Sequence, residues 1–434
     1  MDRRVLFASL ILLAGGATGV GVALFAFVGI DDATADSEVV WETEPVDGDD
    51  GSGAVVATVD GDPVVLQSTT ADGDRVVRAT AVGGEVAWRT PLSAIAVGDA
   101  AGGDGESGSD GDAGNGTGGD AGNETDGGDA PAISGFVSAT LGGDPVVAFT
   151  TETGSLVVLD AADGTTRFAT DLGGPSGLRP AIGDLDDDGD SEVAAATTDG
   201  TVLAVDATGD RVFETALDAP VDRRPLIADF DGNDDGDGVP RGVAVATAGG
   251  DEATIRLLDA TGDARWTATP AVTPLTWAAA DTRDGPVLAL GGTSGNLETI
   301  ELTDGSSRYE VGLQDLPVAV GDADPGRIYV GGAGSVWAVD LRDGEVVWKQ
   351  QYGGETRVNA PGVADVSGNG EPGPVAVNRG GGVLALNEQG EPIAQGDVGD
   401  AVVYAGPLFA DVNGDGSDEV LVVTADGRVV ALSD

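Results

Sequence analysis

The sequence predicts an all-β fold, a closed β-propeller of about eight four-stranded blades, from three observations. A unit of roughly 40 residues recurs from about residue 54 to the end of the chain, and such a period is typical of propellers and solenoids. Each unit contains short β-branched segments separated by Asp/Gly turns. The last unit lacks a fourth strand, whereas a strand-like segment near the N-terminus has no unit of its own.

The repeat is clearest between Pro180 and Leu217, where four strands are predicted: PAIGDL, EVAAAT, TVLAVDA and RVFETAL. After the N-terminal segment, no stretch keeps a helical apolar period for ten residues. The fold is therefore expected to consist of strands alone. The predicted blades span residues 54–92, 133–172, 175–217, 221–268, 271–311, 316–352, 357–396 and 400–434.

The segment near the N-terminus can supply the strand that the last unit lacks. Glu38-Val39-Val40-Trp41 repeats Glu345-Val346-Val347-Trp348, a predicted fourth strand, and the last unit ends after its third strand. Pairing the two ends would close the ring and leave no unpaired edge. This complementarity favours a closed propeller over an open solenoid.

An aromatic residue follows the turn glycine by four positions in six units. Large rings bury much apolar area, so we expect them to pack between adjacent sheets. The pairs are Gly84 and Trp88, Gly164 and Phe168, Gly209 and Phe213, Gly262 and Trp266, Gly305 and Tyr309, and Gly344 and Trp348.

The pattern G-x-V-x-A-V-D-x-x-x-G-x-x-x-W, as in GSVWAVDLRDGEVVW ending at Trp348, resembles the repeat of quinoprotein-type (PQQ-like) eight-bladed propellers. That group includes quinone-dependent alcohol dehydrogenases and the non-enzymatic propeller lipoprotein of bacterial outer-membrane protein assembly. The resemblance extends over most of the chain after the N-terminal segment, and it implies fold more strongly than activity.

The charge balance is strongly acidic, with 75 Asp and Glu against 21 Lys and Arg and a formal net charge of −54. Such a surface stays hydrated in concentrated salt, where screening removes most self-repulsion. The composition resembles that of proteins from extremely halophilic archaea. The alternative interpretation is a surface that binds a cation or a basic partner. Nucleic-acid binding is disfavoured, because contacts to phosphate need clustered Lys and Arg, which the chain lacks.

The chain contains no cysteine and no histidine. This excludes disulfides, thiolate metal sites and any mechanism that uses imidazole or a Cys nucleophile. Alcohol-oxidising quinoproteins resemble one another in vicinal cysteines near the cofactor, so no quinone is expected here. We therefore predict a protein that is not an enzyme, with a secreted PQQ-dependent dehydrogenase as the alternative.

The N-terminus predicts export. Residues 5–28 are uncharged and mostly apolar, with Arg3 and Arg4 before them and acidic residues after them. This is long enough to span a bilayer, and the charge bias leaves the bulk of the chain outside the cell. Residues 1–36 are interpreted as a membrane anchor or, with cleavage after Ala35, as an export signal. The propeller then comprises residues 37–434.

A Gly/Asp-rich insertion over residues 99–131 separates the first two blades. Its composition cannot bury enough apolar surface to fold, so disorder is predicted. It carries two N-glycosylation sequons, at Asn115 and Asn123, whose shared placement in one loop supports exposure outside the cell.

Two predicted turns between a first and a second strand carry acidic residues at alternate positions. Oxygen ligands at loop positions 1, 3 and 5, followed by glycine at position 6, match the start of a calcium loop. The candidate metal ligands are Asp184, Asp186, Asp188, Asp190 and Glu192 in the third unit, and Asp411, Asn413, Asp415, Ser417 and Glu419 in the eighth.

These turns resemble the calcium loops of FG-GAP propeller repeats, as in integrin α-chains, in which the ion pins a loop between two strands. Asp/Gly turns also form without an ion, so plain turns remain the alternative. Ions bound here would be structural. Less complete versions comprise Asp229, Asp231, Asn233 and Asp235 in the fourth unit, and Asp365, Ser367 and Asn369 in the seventh.

Together these features predict a monomeric, non-enzymatic module outside the cell that binds an envelope protein or a surface glycan. Calcium would stiffen its rim. The sequence does not identify the partner. An assembly factor for exported proteins is a further alternative.

Overall fold

The computed structural model describes residues 35–45, 53–71, 73–95, 131–230, 241–249, 252–314, 316, 319–324, 326–352, 356–399 and 402–433. The predicted N-terminal anchor, the insertion up to residue 130, and the sequons at Asn115 and Asn123 lie outside this part of the chain. Within it, strands alternate with turns, and the one helix is a short 3-10 turn, Leu92–Ala94. None of the described residues forms a helix long and apolar enough to cross a bilayer.

The described strands form eight sheets, which we number as blades 1 to 8 in chain order. The prediction of an all-β propeller with about eight four-stranded blades is therefore confirmed. In each of blades 1 to 7, four consecutive strands pair antiparallel in sequence order.

In the described part of the chain, two strands precede blade 1, namely β1 (Ala35–Asp36) and β2 (Glu38–Glu42). Blades 1 to 4 consist of β3 (Ala54–Val59), β4 (Asp62–Ala71), β5 (Asp74–Ala81), β6 (Val86–Pro91); β7 (Val137–Leu141), β8 (Asp144–Thr150), β9 (Ser155–Asp160), β10 (Thr166–Asp171); β11 (Ala181–Gly183), β12 (Glu192–Ala196), β13 (Thr201–Val205), β14 (Arg211–Ala216); and β15 (Leu226–Asp229), β16 (Arg241–Gly249), β17 (Glu252–Leu258), β18 (Ala264–Ala268).

Blades 5 to 8 continue the same order. They consist of β19 (Pro274–Ala280), β20 (Val287–Gly292), β21 (Asn296–Glu301), β22 (Ser307–Gly312); β23 (Ala319–Asp324), β24 (Arg327–Gly331), β25 (Ser335–Asp340), β26 (Val346–Gln351); β27 (Gly362–Ala364), β28 (Gly373–Val377), β29 (Gly382–Leu386), β30 (Pro392–Asp397); and β31 (Val403–Ala410), β32 (Glu419–Thr424), β33 (Val429–Ser433).

Blade 8 is completed by the N-terminal strand β2, as predicted. Strand β2 pairs antiparallel with β33, and Glu38 lies opposite Ser433. Two hydrogen bonds hold the other end of this strand pair. Val429 N–H donates to Thr43 Oγ1 at 2.9 Å, and Thr43 N–H donates to the Val429 carbonyl at 3.0 Å. The two ends of the propeller thus share one sheet. The short strand β1 pairs parallel with β30 as a fifth strand of blade 7, which the sequence did not predict.

The first strand of each blade faces a central channel. Each first strand contacts the first strand of the next blade, and the series returns from β31 to β3, which closes the ring. The apolar core is divided among the seams, because each of the eight pairs of neighbouring blades shares a cluster of buried Val, Leu, Ile and Ala side chains among the described residues. Sheets packed face to face around a ring bury both faces of their inner strands, which explains why second strands such as β12, β20 and β28 are buried along their whole length.

The repeated aromatic residues pack across these seams, as expected. Each ring lies on the turn glycine of the next blade, and a Cβ there would approach the ring to between 2.4 and 2.8 Å. Indole N–H groups add hydrogen bonds to the same turns, as from Trp88 to the Ala161 carbonyl at 2.9 Å and from Trp266 to the Leu302 carbonyl at 2.8 Å. The ring-on-glycine pairs are Trp88 on Gly164, Phe168 on Gly209, Phe213 on Gly262, Trp266 on Gly305, Tyr309 on Gly344, and Trp348 on Gly390.

The strand directions define two faces of the ring. Successive strands of a blade run antiparallel, so the turns from first to second and from third to fourth strands lie at one end of the channel. We call this end the acidic face, because it carries the acidic turns of blades 3, 7 and 8. The opposite end carries the turns from second to third strands and the connections between blades, and we call it the connection face.

Candidate functional site

The acidic turn of blade 3 joins β11 to β12 and brings three carboxylates together. One oxygen from each of Asp184, Asp186 and Asp188 lies within 4.8 Å of the others. Backbone N–H groups hold the loop in this shape, since Asp184 accepts from the N–H of Asp187 at 2.7 Å and from that of Gly189 at 3.1 Å. Asp187 and Gly189 have φ values of 63° and 91°, which bend the chain tightly around the three carboxylates.

Glu192 lies beneath this turn. Its side chain belongs to the first residue of β12, is 4% exposed, and accepts a hydrogen bond from Leu185 N–H at 2.7 Å. Burial raises the pKa of Glu192 to about 7, against the opposing effect of the Leu185 N–H, and the charges of Asp186, Asp188 and Asp184 raise it further. The loop therefore concentrates negative charge that a cation would relieve.

Three carboxylate oxygens at this spacing fit calcium. An ion at the centre of the group would lie within reach of all three, because Ca²⁺ binds oxygen ligands at about 2.3–2.6 Å. Asp190 does not belong to the converging group, although its N–H donates to Asp188 at 2.8 Å and supports the loop. Among the described residues, no other set of three acidic side chains converges in this way.

The acidic turn of blade 8 has the same backbone hydrogen bonds as the turn of blade 3, but its side chains are arranged differently. Asp411 accepts from two backbone N–H groups, and Glu419 accepts from Val412 N–H at 2.8 Å, as their counterparts do in blade 3. At the third loop position, however, the Asn413 amide donates to Asp415 at 2.9 Å and to Glu419 at 2.7 Å. This amide links the carboxylates of Asp415 and Glu419, and the residues predicted as ligands in blade 8 do not form a convergent acidic triad.

The remaining predicted turns are less complete. In blade 7, Asp365 accepts from the N–H groups of Asn369 at 3.2 Å and Gly370 at 2.6 Å, and the Ser367 hydroxyl lies 3.4 Å from it. The hydroxyl of Ser417, predicted as a ligand in blade 8, lies against the Cα of Gly368 in this neighbouring turn. The predicted ligands in blade 4 begin with Asp229 at the end of β15.

In blade 4, the described part of the predicted turn ends at residue 230, so Asp231, Asn233 and Asp235 lie outside it. Arg241, at the start of β16, donates to the Asp184 carbonyl of blade 3 at 3.3 Å. The acidic turn of blade 3 is therefore held in part by a hydrogen bond from the neighbouring blade.

Sequence reasoning missed three charged residues that lie on, or shortly before, the first strands of three blades. Arg179 and Arg224 precede the first strands of blades 3 and 4, and Asp322 lies on the first strand of blade 6. Burial raises the pKa of Asp322, and the Val363 N–H and the two arginines act against that rise. The sequence contains one visible signal, because both arginines stand directly before a proline at the entry to a first strand.

Comparison with known proteins identifies the repeat. A family model described as outer membrane protein assembly factor BamB matches residues 187–320 and 251–434, together more than half of the chain. A search of curated proteins gives no match.

Solved structures share the fold at low sequence identity. BamB from Moraxella catarrhalis has a TM-score of 0.58 and 17% identity over 92% of this chain and 100% of that chain. Sqt1 from Saccharomyces cerevisiae has a TM-score of 0.61 and 12% identity over 93% and 99%. The C-terminal WD40 domain of Sif2 has a TM-score of 0.60 and 9% identity over 92% and 99%.

These structural similarities show the propeller architecture alone, because propellers of many functions share it. The family model goes further, since it recognises the repeat sequence over more than half of the chain. The chain belongs to the BamB family of PQQ-like eight-bladed propellers.

Proposed function

We propose that this protein is a non-enzymatic binding module that assists the assembly of exported proteins. Membership in the family described as an outer membrane protein assembly factor carries this proposal. The eight blades form one closed ring with a core at every seam. Such a rigid scaffold presents loops to a partner with little ordering cost.

The connection face is the surface that we propose for partner binding. It exposes two large apolar side chains in the links between blades, Leu316 at 51% and Val402 at 44%. Burial of an exposed apolar side chain on binding is favourable, so these two residues are the candidates for partner contact on this face. The opposite face carries the carboxylates of the acidic turns, which would repel a partner protein with an acidic surface.

The proposal includes a location outside the cell, held by the N-terminal segment as an anchor or released by cleavage after Ala35. The apolar residues 5–28 and the arginines before them support it. Fractionation of cells expressing the full chain tests it. Recovery of the whole protein in the cytosolic fraction would contradict an exported module.

The test of function is removal of the gene from the source organism, with complementation. We expect the amounts of correctly assembled exported proteins to fall, and the wild-type gene to restore them. A variant with Leu316→Asp and Val402→Asp should restore them poorly, because burying either new charge against a partner is costly. The control is Val347→Asp on the outer strand of blade 6, a residue 42% exposed.

Equal rescue by both variants would overturn the connection face as the binding surface. Unchanged exported proteins after gene removal would overturn the assembly role itself. A quinone absorbance band in the purified protein would contradict a non-enzymatic module.

We further propose that the acidic turn of blade 3 binds a structural calcium ion. The converging carboxylates of Asp184, Asp186 and Asp188 support this, together with the raised pKa of Glu192. Melting in calcium and then in chelator tests it, since one site stabilises by about 2.7 kcal/mol at a hundredfold excess over the dissociation constant. Identical melting in both conditions would contradict it.

A further inference from the structure

The connection face has a cavity at blades 6 and 7. Its volume is about 650 Å³, which lies in the range of about 300–1,000 Å³ that is typical of small-molecule sites. Its walls come from the end of blade 6, the turn between β28 and β29, the last residues of β30 and the N-terminal segment. The polar side chains that line it are those of Ser37, Tyr352, Thr356, Asn378, Gln395 and Asp397.

The N-terminal strand β1 contributes to one wall of this cavity. It pairs with β30 as the fifth strand of blade 7, and directly after it Ser37 N–H donates to the Gln395 carbonyl at 2.7 Å. None of the other sheets among the described residues has a fifth strand. The cavity therefore has a wall that the other blades lack.

A buried hydroxyl group of the cavity lacks a hydrogen bond. Tyr352 Oη has no partner among the described residues, and its ring packs against a small apolar cluster of Val336, Val358 and Ala376. Burial raises the pKa of Tyr352 and the charge of Asp397 raises it further, whereas the N–H of Asn378 acts to lower it. That N–H already donates to the Gly382 carbonyl at 3.0 Å. A buried hydroxyl without a partner is unfavourable, and a polar ligand would supply the missing bond.

A second polar group lies beside this hydroxyl. The side chain of Asn378 is buried, and its Oδ1 accepts from the N–H groups of Gly380 at 2.8 Å and Gly382 at 3.2 Å. Its Nδ2 and Tyr352 Oη each lie 2.8 Å from the position that a Cβ on Gly382 would occupy. Because residue 382 is glycine, no side chain covers these two groups from that side.

The lining determines which class of ligand fits. Asp397 is the one charged side chain among the residues that line the cavity, so a phosphate or a carboxylate would be repelled. A single carboxylate is also too little for calcium, which takes about six to eight oxygen ligands. The other polar side chains are hydroxyls and amides, which both donate and accept hydrogen bonds. The hydroxyl groups of a neutral sugar match them in both roles and add no charge.

We propose that this cavity binds a neutral sugar unit, either free or as part of a glycan chain. Tyr352 Oη and Asn378 Nδ2 donate to oxygens of the sugar. Asp397 accepts from a sugar hydroxyl, and its charge excludes acidic sugars. This site goes beyond the assembly role proposed above and does not depend on it.

The first experiment uses the wild-type full chain and pairs of sugars in calorimetry. The neutral probes are glucose, galactose, mannose and N-acetylglucosamine, and the acidic matches of the three hexoses are glucuronate, galacturonate and mannuronate. We expect at least one neutral probe to bind, and a hexose that binds to do so about tenfold more tightly than its uronate, a difference of about 1.4 kcal/mol. No binding of any neutral probe, or equal binding of hexose and uronate, would overturn the proposal.

The source of the sugar follows from chain length. The tetrasaccharide of the neutral sugar that binds best is compared with the single sugar. Tighter binding of the tetrasaccharide would indicate a glycan chain, and equal or weaker binding would indicate a free sugar.

The second experiment uses a matched pair of hydroxyl deletions. Tyr352→Phe should weaken sugar binding about tenfold through the loss of one hydrogen bond. It should not lower the melting temperature, because this hydroxyl has no partner in the free protein. The control is Tyr309→Phe, which removes another buried hydroxyl without a partner, on the outer strand of blade 5. Tyr309→Phe should bind the sugar as wild type does.

A third variant tests the role of the carboxylate. Asp397→Asn should bring the affinity for a uronate closer to that for its hexose, because the repelling charge is removed. Full sugar binding by Tyr352→Phe, or unchanged exclusion of the uronate by Asp397→Asn, would contradict the site. A clear fall in the melting temperature of Tyr352→Phe would show that the hydroxyl serves the fold instead.

Discussion

At the scale of single residues, the seams depend on glycines that support neighbouring rings. Gly344 has φ 76°, and a Cβ there would lie 2.5 Å from Tyr309 of the preceding blade. Gly173 has the same φ of 76° but nothing within 4 Å. Alanine substitutions at these two glycines therefore distinguish the cost of backbone strain from the cost of a clash with the neighbouring ring.

We expect Gly344→Ala to destabilise the protein more than Gly173→Ala. Both changes incur the left-handed strain of about 1–2 kcal/mol, and Gly344→Ala adds about 1–3 kcal/mol of overpacking against the ring. Urea denaturation of the two variants measures the difference. Equal losses would mean that the ring moves away freely and that the seam does not require glycine.

The acidic turn of blade 3 offers an equally close comparison. Asp186→Asn and Asp188→Asn should each abolish the calcium-dependent rise in melting temperature, because each removes a converging oxygen charge. Asp187→Asn removes the same charge from the same loop, at a residue outside the triad whose φ of 63° asparagine tolerates. We expect Asp187→Asn to keep the rise. A similar loss in all three variants would indicate diffuse charge effects rather than a defined site.

Residue spacing predicted some of these details and not others. The ring-on-glycine contact was foreseeable, since the same offset recurs six times among few aromatics. The lack of an acidic triad in blade 8 is visible in the sequence as Asn413, but the hydrogen bonds from its amide to Asp415 and Glu419 were not foreseeable, because they depend on the orientation of the side chain. The effect of Asp322 on the pKa of Arg179 was also missed, since the two residues belong to different blades.

At the scale of elements, the N-terminal strand β2 completes blade 8. Deleting residues 37–45 should lower the melting temperature markedly, because β33 would expose an unpaired edge and the Thr43–Val429 bonds would be lost. A synthetic peptide of residues 37–45, added in trans, should restore much of the loss, and a scrambled peptide should not. Unchanged melting after the deletion would show that closure does not stabilise the ring.

The strand order illustrates what a repeat sequence can predict. Blades 1 to 7 are local meanders, so turn chemistry and β-branched segments were enough to locate them. The strand that completes the last blade was also predicted from the repeat, because the sequence from Glu38 to Trp41 matches that of a predicted fourth strand. The strand β1 was not foreseen, since two residues carry no periodic pattern.

At the scale of the whole molecule, the net charge of −54 sets the response to salt. We expect the melting temperature to rise steadily from 0.1 M to above 1 M NaCl, as the Debye length falls from about 10 Å to about 3 Å and self-repulsion is screened. Potassium chloride at equal ionic strength should act alike, since screening depends on ionic strength. A flat response would argue against a surface adapted to concentrated salt.

The N-terminal closing strand also sets the order of events in biosynthesis. Strand β2 is synthesised long before its partner β33, and the hydrogen bond between Thr43 and Val429 joins residues 386 positions apart. Blades 1 to 7 can form as the chain emerges, but blade 8 is complete only once β33 has been made, so closure of the ring is one long-range step that local contacts cannot hasten. Because Glu38 lies opposite Ser433, a circular permutant joining them by a short turn would convert this step into hairpin formation. Such a chain should refold faster while keeping the same eight blades.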